Sequence, residues 1–153
     1  MSATKVSAEE RQKMVAEAAY FRAQGRGFDD GDSVADWVEA EAEINERLRQ
    51  MEHNALLERL EERFAAAREN LKSLRRKVSR KKAEARVEWK EEMEKLAELR
   101  DTFERRLEEL RERGQHATRK LKDQAEEIAE EVTEKISEIT RRLSSGRRGA
   151  RRK

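Results

Sequence analysis

The sequence predicts an all-α protein: a small N-terminal helix-turn-helix hairpin followed by one or more long amphipathic helices of coiled-coil type. Three observations point there. The 153 residues hold no proline, no cysteine and 46% charged side chains, against about 25% charge and about 5% proline in ordinary chains. Residues 60–78 carry an apolar repeat of period 3.5, the mark of a coiled coil. Beyond residue 99 the apolar repeat lengthens to eleven residues. Hydrophobic residues, at 35%, suffice for an apolar stripe along a helix but not for a thick globular core.

Ser7-Ala8-Glu9-Glu10 fits a capping box, in which the serine caps the first turn and the glutamate reaches back. Met14, Val15, Ala18 and Ala19 follow at helical spacing, and Gly25 is the expected stop. Residues 26–32 (RGFDDGD) read as a turn, and Asp32 or Ser33 caps a second helix. Val34, Trp37, Val38 and Ile44 give that helix its apolar side.

From Ile44 to Gly146 there is no clean stop. Leu60, Phe64, Ala67, Leu71, Leu74 and Val78 step by 4, 3, 4, 3 and 4 residues. Leu99, Leu110, Leu121, Val132 and Leu143 stand eleven apart, with parallel series through Phe103 and Ile136 and through Ile128 and Ile139. An eleven-residue step implies a straight or slightly right-handed stripe. An unbroken helix over 34–144 would be about 165 Å long, and its stability would depend on another helix covering the stripe. Gly114 and the basic run 72–82 are the expected places for a fold-back, with a bend near Arg80 or Gly114. Lys72–Lys82 holds seven basic residues and no acid, whereas Asp123–Glu138 holds seven acids and one lysine. Antiparallel pairing about a centre near Phe103 would set these blocks face to face, and it is the expected arrangement, within one chain or between two.

The domain reading is a helical hairpin at 1–46, a coiled coil at 47–143 and a basic, disordered tail at 144–153. The expected coiled-coil seam is Leu60, Phe64, Leu71, Leu74, Val78, Leu99, Phe103, Leu110, Leu121, Ile128, Val132, Ile136 and Ile139.

In the N-terminal region Ala18-Ala19-Tyr20, Arg26-Gly27-Phe28, Gly31, Asp36-Trp37 and Ala40-Glu41-Ala42-Glu43-Ile44 form a spaced pattern. That pattern resembles the bacterial domain-of-unknown-function 2934 family, over about residues 10–46. The acidic turn Asp29-Asp30-Gly31-Asp32 departs from the more mixed turn the family shows. The resemblance implies a helix-turn-helix hairpin with its aromatics inside, and it carries no activity, substrate or catalytic residue. Tyr20, Phe21, Phe28 and Trp37 then read first as a mini-core and second as a docking face for a protein partner, since aromatics anchor interfaces.

Nothing in the chain is read as an active site, and no cofactor or metal is expected. His53 and His116 stand outside any Glu-x-x-His pair, because Gln50 and Arg113 occupy the required positions; both read as solvated helix residues. The loop from Asp29 lacks the alternating ligands and closing glutamate of a calcium loop, and no phosphate-binding glycine loop is present. The tail supplies candidate phosphate contacts at Arg147, Arg148, Arg151, Arg152 and Lys153. The N-terminal residues contain no apolar core of a signal peptide, and no stretch approaches a membrane span, so a cytoplasmic protein is expected. The leading functional reading is a non-enzymatic structural or interaction protein, oligomerising as a homo-oligomer or binding a protein partner. The alternatives are a nucleic-acid accessory protein using its basic segments and an amphipathic coat on a granule or membrane surface.

Overall fold

The structure is a computed structural model that describes residues 5–28 and 31–151, with side chains described as far as Ser145. Every regular element is helical: α1 (Ala8–Gly25), α2 (Ser33–Ser79), α3 (Ala83–Arg113), a short 3-10 turn (Gly114–His116) and α4 (Arg119–Arg151). The chain forms two compact units, Met1–Ala55 and Leu56–Lys153, and α2 contributes to both.

In the first unit α1 opens with the expected capping box. Ser7 Oγ accepts from the Glu10 N–H at 3.1 Å, and the Glu10 carboxylate accepts from the Ser7 N–H at 3.3 Å. The helix ends at Gly25 as expected, and the left-handed reversal follows two residues later. The Phe28 N–H donates to the Ala23 carbonyl and the Gly27 N–H to that of Gln24, both at 3.0 Å, which is a Schellman ending with Gly27 left-handed at φ 71°. Gly25 is therefore the last helical residue and Gly27 makes the reversal. Asp32 then caps α2, its carboxylate accepting from the Val34 N–H at 2.9 Å. The core of this hairpin is small: Val15, Ala40 and Ile44, joined by Met14, Ala18, Ala19 and Leu48. Alanines at 18, 19 and 40 put little side-chain bulk into this seam.

The second unit is an up-down-up bundle made from the C-terminal half of α2, α3 and α4. Arg111 Nε lies 3.0 Å from Glu61, and the Phe64 and Phe103 rings stack at 5.2 Å, so α2 and α3 are antiparallel. Lys135 meets Glu92 and Arg142 lies over the Trp89 ring, so α3 and α4 are antiparallel as well. Arg59 bonds Glu126 at 3.1 Å, and a groove brings Lys77 beside Leu143, so α2 and α4 run in the same direction. The three apolar stripes close on one another. Leu60, Leu107, Leu110 and Ile139 are fully buried in a single apolar cluster.

The chain after residue 44 is thus folded twice, at both of the expected weak points. At the first corner no apolar residue lies between Val78 and Ala83, and the crowded cations of 75–82 repel one another along the helix surface. The Ser79 hydroxyl donates to the Arg76 carbonyl at 2.7 Å as α2 ends. At the second corner Gly114 takes φ 55° and ψ −139°, a combination open to glycine alone among ordinary residues. Thr118 then caps α4 by accepting from the Leu121 N–H at 3.2 Å. With two corners instead of one reversal about Phe103, the charge blocks do not face each other. Because α2 and α4 are parallel, Lys72–Lys82 lies level with the C-terminal end of α4, beyond the acidic run 123–138. The eleven-residue series also spans a corner, with Leu99 and Leu110 on α3 and its later members on α4. Helical backbone continues to Arg151 in the segment read from the sequence as a disordered tail.

Two substitutions test these elements. Leu110→Ala empties a fully buried site and is expected to destabilise by about 2–5 kcal/mol. Gly114→Ala meets no atom within 4 Å but is strained by its φ, and should cost about 1–2 kcal/mol. Urea unfolding followed by circular dichroism measures both; a neutral Gly114→Ala would contradict the corner.

Candidate interaction surface

The face of α1 that meets α2 is set by helical spacing. Arg11, Val15, Ala18 and Arg22 recur every three or four residues, with the apolar members inside and the arginines at the rim. Arg11 bonds Asn45 at 2.8 Å and Glu41 at 3.0 Å. Arg22 spans Glu39 at 2.8 Å and Glu43 at 2.9 Å. Arg26 pairs with the buried Asp36. Three arginines of the α1 side thus clamp the acidic opening of α2, where exposed pairs individually contribute little but the buried Asp36 depends on its partner. The Arg26 guanidinium fills the space a Cβ at Gly31 would need, so that position accepts only glycine without rearrangement.

This geometry turns the aromatics outward. Tyr20 lies about 140° round the helix from Val15 at roughly 100° per residue, and Phe21 about 120° on the other side. Tyr20 is 56% exposed, Phe21 58% and Phe28 60%, with Trp37 at 38%. The expectation of an aromatic mini-core is therefore corrected: alanines, valine and isoleucine fill the inter-helix seam, leaving no room there for rings. The Tyr20 ring contacts Phe21 edge-on at 5.9 Å and Phe28 at 5.6 Å. Phe28 is held at φ 62°, an outlier for a bulky side chain that costs on the order of 1–3 kcal/mol. Beside this corner runs an open groove of about 440 Å³, floored by Met14, Ala18, Phe21 and Ile44 and edged by Glu17, Arg22, Glu43 and Arg47.

Residues 10–46 match the protein family of unknown function DUF2934. The matched span covers the hairpin from the first turns of α1 to Ile44 and its neighbours, and ends before the bundle begins. No curated protein and no solved structure is detectably similar to the chain. Within the DUF2934 hairpin the pattern noted in the sequence acquires physical roles: Gly27 closes α1, Phe28 is its outward ring, and Asp36 receives Arg26.

The other sequence candidates fall elsewhere. All thirteen expected seam residues lie in the bundle's one apolar cluster, with Phe64 and Leu99 partly buried at its edge. Leu56, Leu96, Leu107, Ala117, Ala125 and Ala129 belong to it too; Leu107 was legible as the heptad step after Phe103. His53 is buried, at 3% exposure, and not solvated as expected. It stands seven residues before Leu60, on the same stripe. His116 is exposed at the second corner. Asp29 and Asp30 lie outside the described residues, as do Arg152, Lys153 and the side chains of Arg147, Arg148 and Arg151. Among the described residues no three His, Cys, Asp or Glu side chains converge as a metal site, and no helix is long and apolar enough to cross a membrane.

A polar clamp that the sequence did not announce joins α3 to α4. The Glu92 carboxylate lies 3.1 Å from Lys135 and 3.2 Å from Arg142, and the Arg142 guanidinium sits 4.7 Å over the Trp89 ring. Hydrogen bonds from Lys135 and then Arg142 hold Glu92 below its ordinary carboxyl value, and the bond to Glu92 raises Lys135.

Two outcomes follow. Phe28→Asn replaces a strained ring by a residue at ease with positive φ, so the melting temperature should stay within about 3 °C of wild type or rise; truncating a core aromatic would cost about 3–5 kcal/mol. Glu92, with its depressed folded pKa, stabilises the fold above its unfolded value of 4.5 and loses that contribution as pH falls through the folded pKa. Glu92→Gln should therefore melt below wild type at pH 7, and the gap should close on acidification below about pH 4.5; a gap independent of pH would refute the clamp.

Proposed function

We propose that the chain is a non-enzymatic interaction protein in which the DUF2934 hairpin docks a protein partner and the three-helix bundle serves as a rigid spacer. The observation that carries this reading is the exposed ring cluster of Tyr20, Phe21 and Phe28, with Phe28 kept outward by an unfavourable backbone conformation. A protein retains such strain where the strained side chain has a use. The three half-exposed rings present roughly 300 Å² of apolar surface, the size of patch that is commonly functional on small proteins. The adjoining groove adds an apolar floor with charges of both signs along its edge, which suits an amphipathic helix of a partner.

Magnitudes set the class of contact. Burying roughly 300 Å² yields about 7 kcal/mol of gross hydrophobic free energy, of the same order as the cost of association. The expected complex is transient, with a micromolar dissociation constant, unless several copies act together. The bundle itself has its apolar stripes covered within one chain, so the docking capacity resides in the hairpin.

A photo-crosslinking residue placed at Tyr20 in the native cell tests the reading. Discrete adducts with one or a few proteins are expected, and they should fade when Phe28→Asn is added. The same adducts formed from a probe at Glu127 on the bundle, or adducts indifferent to Phe28, would count against it. A dimer of the chain itself among the adducts would identify the partner as a second copy.

A further inference from the structure

The near-neutral total charge conceals two poles. Residues 72–90 carry nine basic and two acidic side chains, residues 139–153 carry seven basic and none acidic, and the remainder holds 20 basic against 32 acidic. The fold sets the first of these segments beside the side chains of α4 just before Ser145. Because α2 and α4 are parallel, the corner after α2 meets the last described turns of α4, and Lys77, Arg80 and Lys81 line one groove with Leu143 and Ser144. A second groove, of about 600 Å³, opens between α2 and α3, with the cations Arg75, Arg86 and Lys90 and the one acid Glu94 around Val78, Ala83, Val87 and Met93.

Several cations elsewhere in the protein are neutralised by a neighbouring carboxylate. Arg11, Arg22, Arg26, Arg59, Arg111 and Lys135 are each bound to a carboxylate. Of the basic side chains between Arg75 and Lys90, none has a carboxylate within ion-pair distance among the described residues. Nearly all are exposed. Concentrated like charge of this kind destabilises the compact state unless an anion shares it.

We propose that this basic pole binds the phosphate backbone of duplex nucleic acid without reading its sequence. Clustered Arg and Lys side chains with no neutralising partner are what backbone contact needs, because each phosphate engaged releases condensed counterions. Aromatics for stacking unpaired bases are lacking: Trp89 is partly buried and covered by Arg142. An anionic bilayer is the weaker fit, because membrane-lying helices bury an apolar face. Here the apolar faces are consumed by the core, and Val87 is the one exposed large hydrophobic residue among the described residues of the bundle. The site is separate from the hairpin surface and stands whether or not that surface binds a protein.

The test is fluorescence anisotropy of the full chain with a labelled, random-sequence 20-base-pair duplex at 50 and 200 mM salt. Engagement of roughly four phosphates predicts an affinity loss of about 100-fold across that range. Arg80→Glu/Lys81→Glu and, separately, Arg86→Glu/Lys90→Glu should each weaken binding at least tenfold at 50 mM salt. None of the four belongs to the apolar core, so the chain should stay helical by circular dichroism, and its melting temperature should hold or rise as like-charge repulsion is relieved. Arg59→Glu, on the body of the bundle, should have less than a threefold effect. A chain ending at Ser145 should keep salt-dependent binding. No binding at 50 mM salt, charge-reversal variants that bind as wild type, or complete loss on truncation at Ser145 would each overturn the proposal. So would flotation with phosphatidylserine vesicles that the duplex cannot compete away, or low-salt self-association seen by light scattering that the duplex does not dissolve.

Discussion

Mutual burial of the stripes on α2, α3 and α4 underlies everything else in the bundle. A helix with so little intrinsic core cannot hold its shape in water on propensity alone; its apolar line has to be covered. Leu60, Leu107, Leu110 and Ile139 are sealed because the chain doubles back at two short corners. One corner is a stretch of mutually repelling cations with no apolar residue to hold it to a neighbour. The other is a glycine whose backbone angles a side chain would resist. The corners therefore select the topology, and the topology decides which polar groups meet: Arg59 with Glu126, Arg111 with Glu61, and Glu92 with Lys135 and Arg142.

The hairpin solves a different problem. With about 40 residues it has little surface to bury, and its seam of Val15, Ala40 and Ile44 is correspondingly thin. The arginines of the α1 side offset this by gripping carboxylates on α2. The cost is that the rings cannot enter. Tyr20, Phe21 and Phe28 stay in water, and one of them occupies a backbone conformation that ordinary side chains avoid. The two sides of the same helix thus differ in character, the inward side holding the fold and the outward side leaving its rings in water. The DUF2934 match covers this hairpin and ends before the bundle begins, consistent with two units of different character joined through α2.

Much of this was legible beforehand. The capping box at Ser7, the cap at Asp32, the all-helical class and the membership of thirteen seam positions in one apolar cluster follow from local rules: short side-chain-to-backbone reach and a period near 3.5. Gly114 and the basic run were recognisable as weak points, because a missing side chain and repelling charges each remove support from a continuing helix. The burial of His53 and Leu107 was written in the same periodicity, at stripe positions next to the assigned ones. The polar clamp around Glu92 had no local signal. Its members are 43 and 50 residues apart in the chain, and carboxylates and cations are too abundant here for pairing to be read by eye.

The sequence by itself determined the helices, their caps, their apolar stripes and the points at which a helix would give way, because each depends on residues within a few positions of one another. Only the tertiary structure decided that the chain covers its own stripe, that the hairpin's rings face outward and that the basic end of α2 lies beside Leu143 and Ser144 of α4. Those outcomes depend on helix direction and on which volumes fit a seam. Both are settled by contacts between residues far apart in the chain, and a periodic pattern is the same for every partner that could satisfy it.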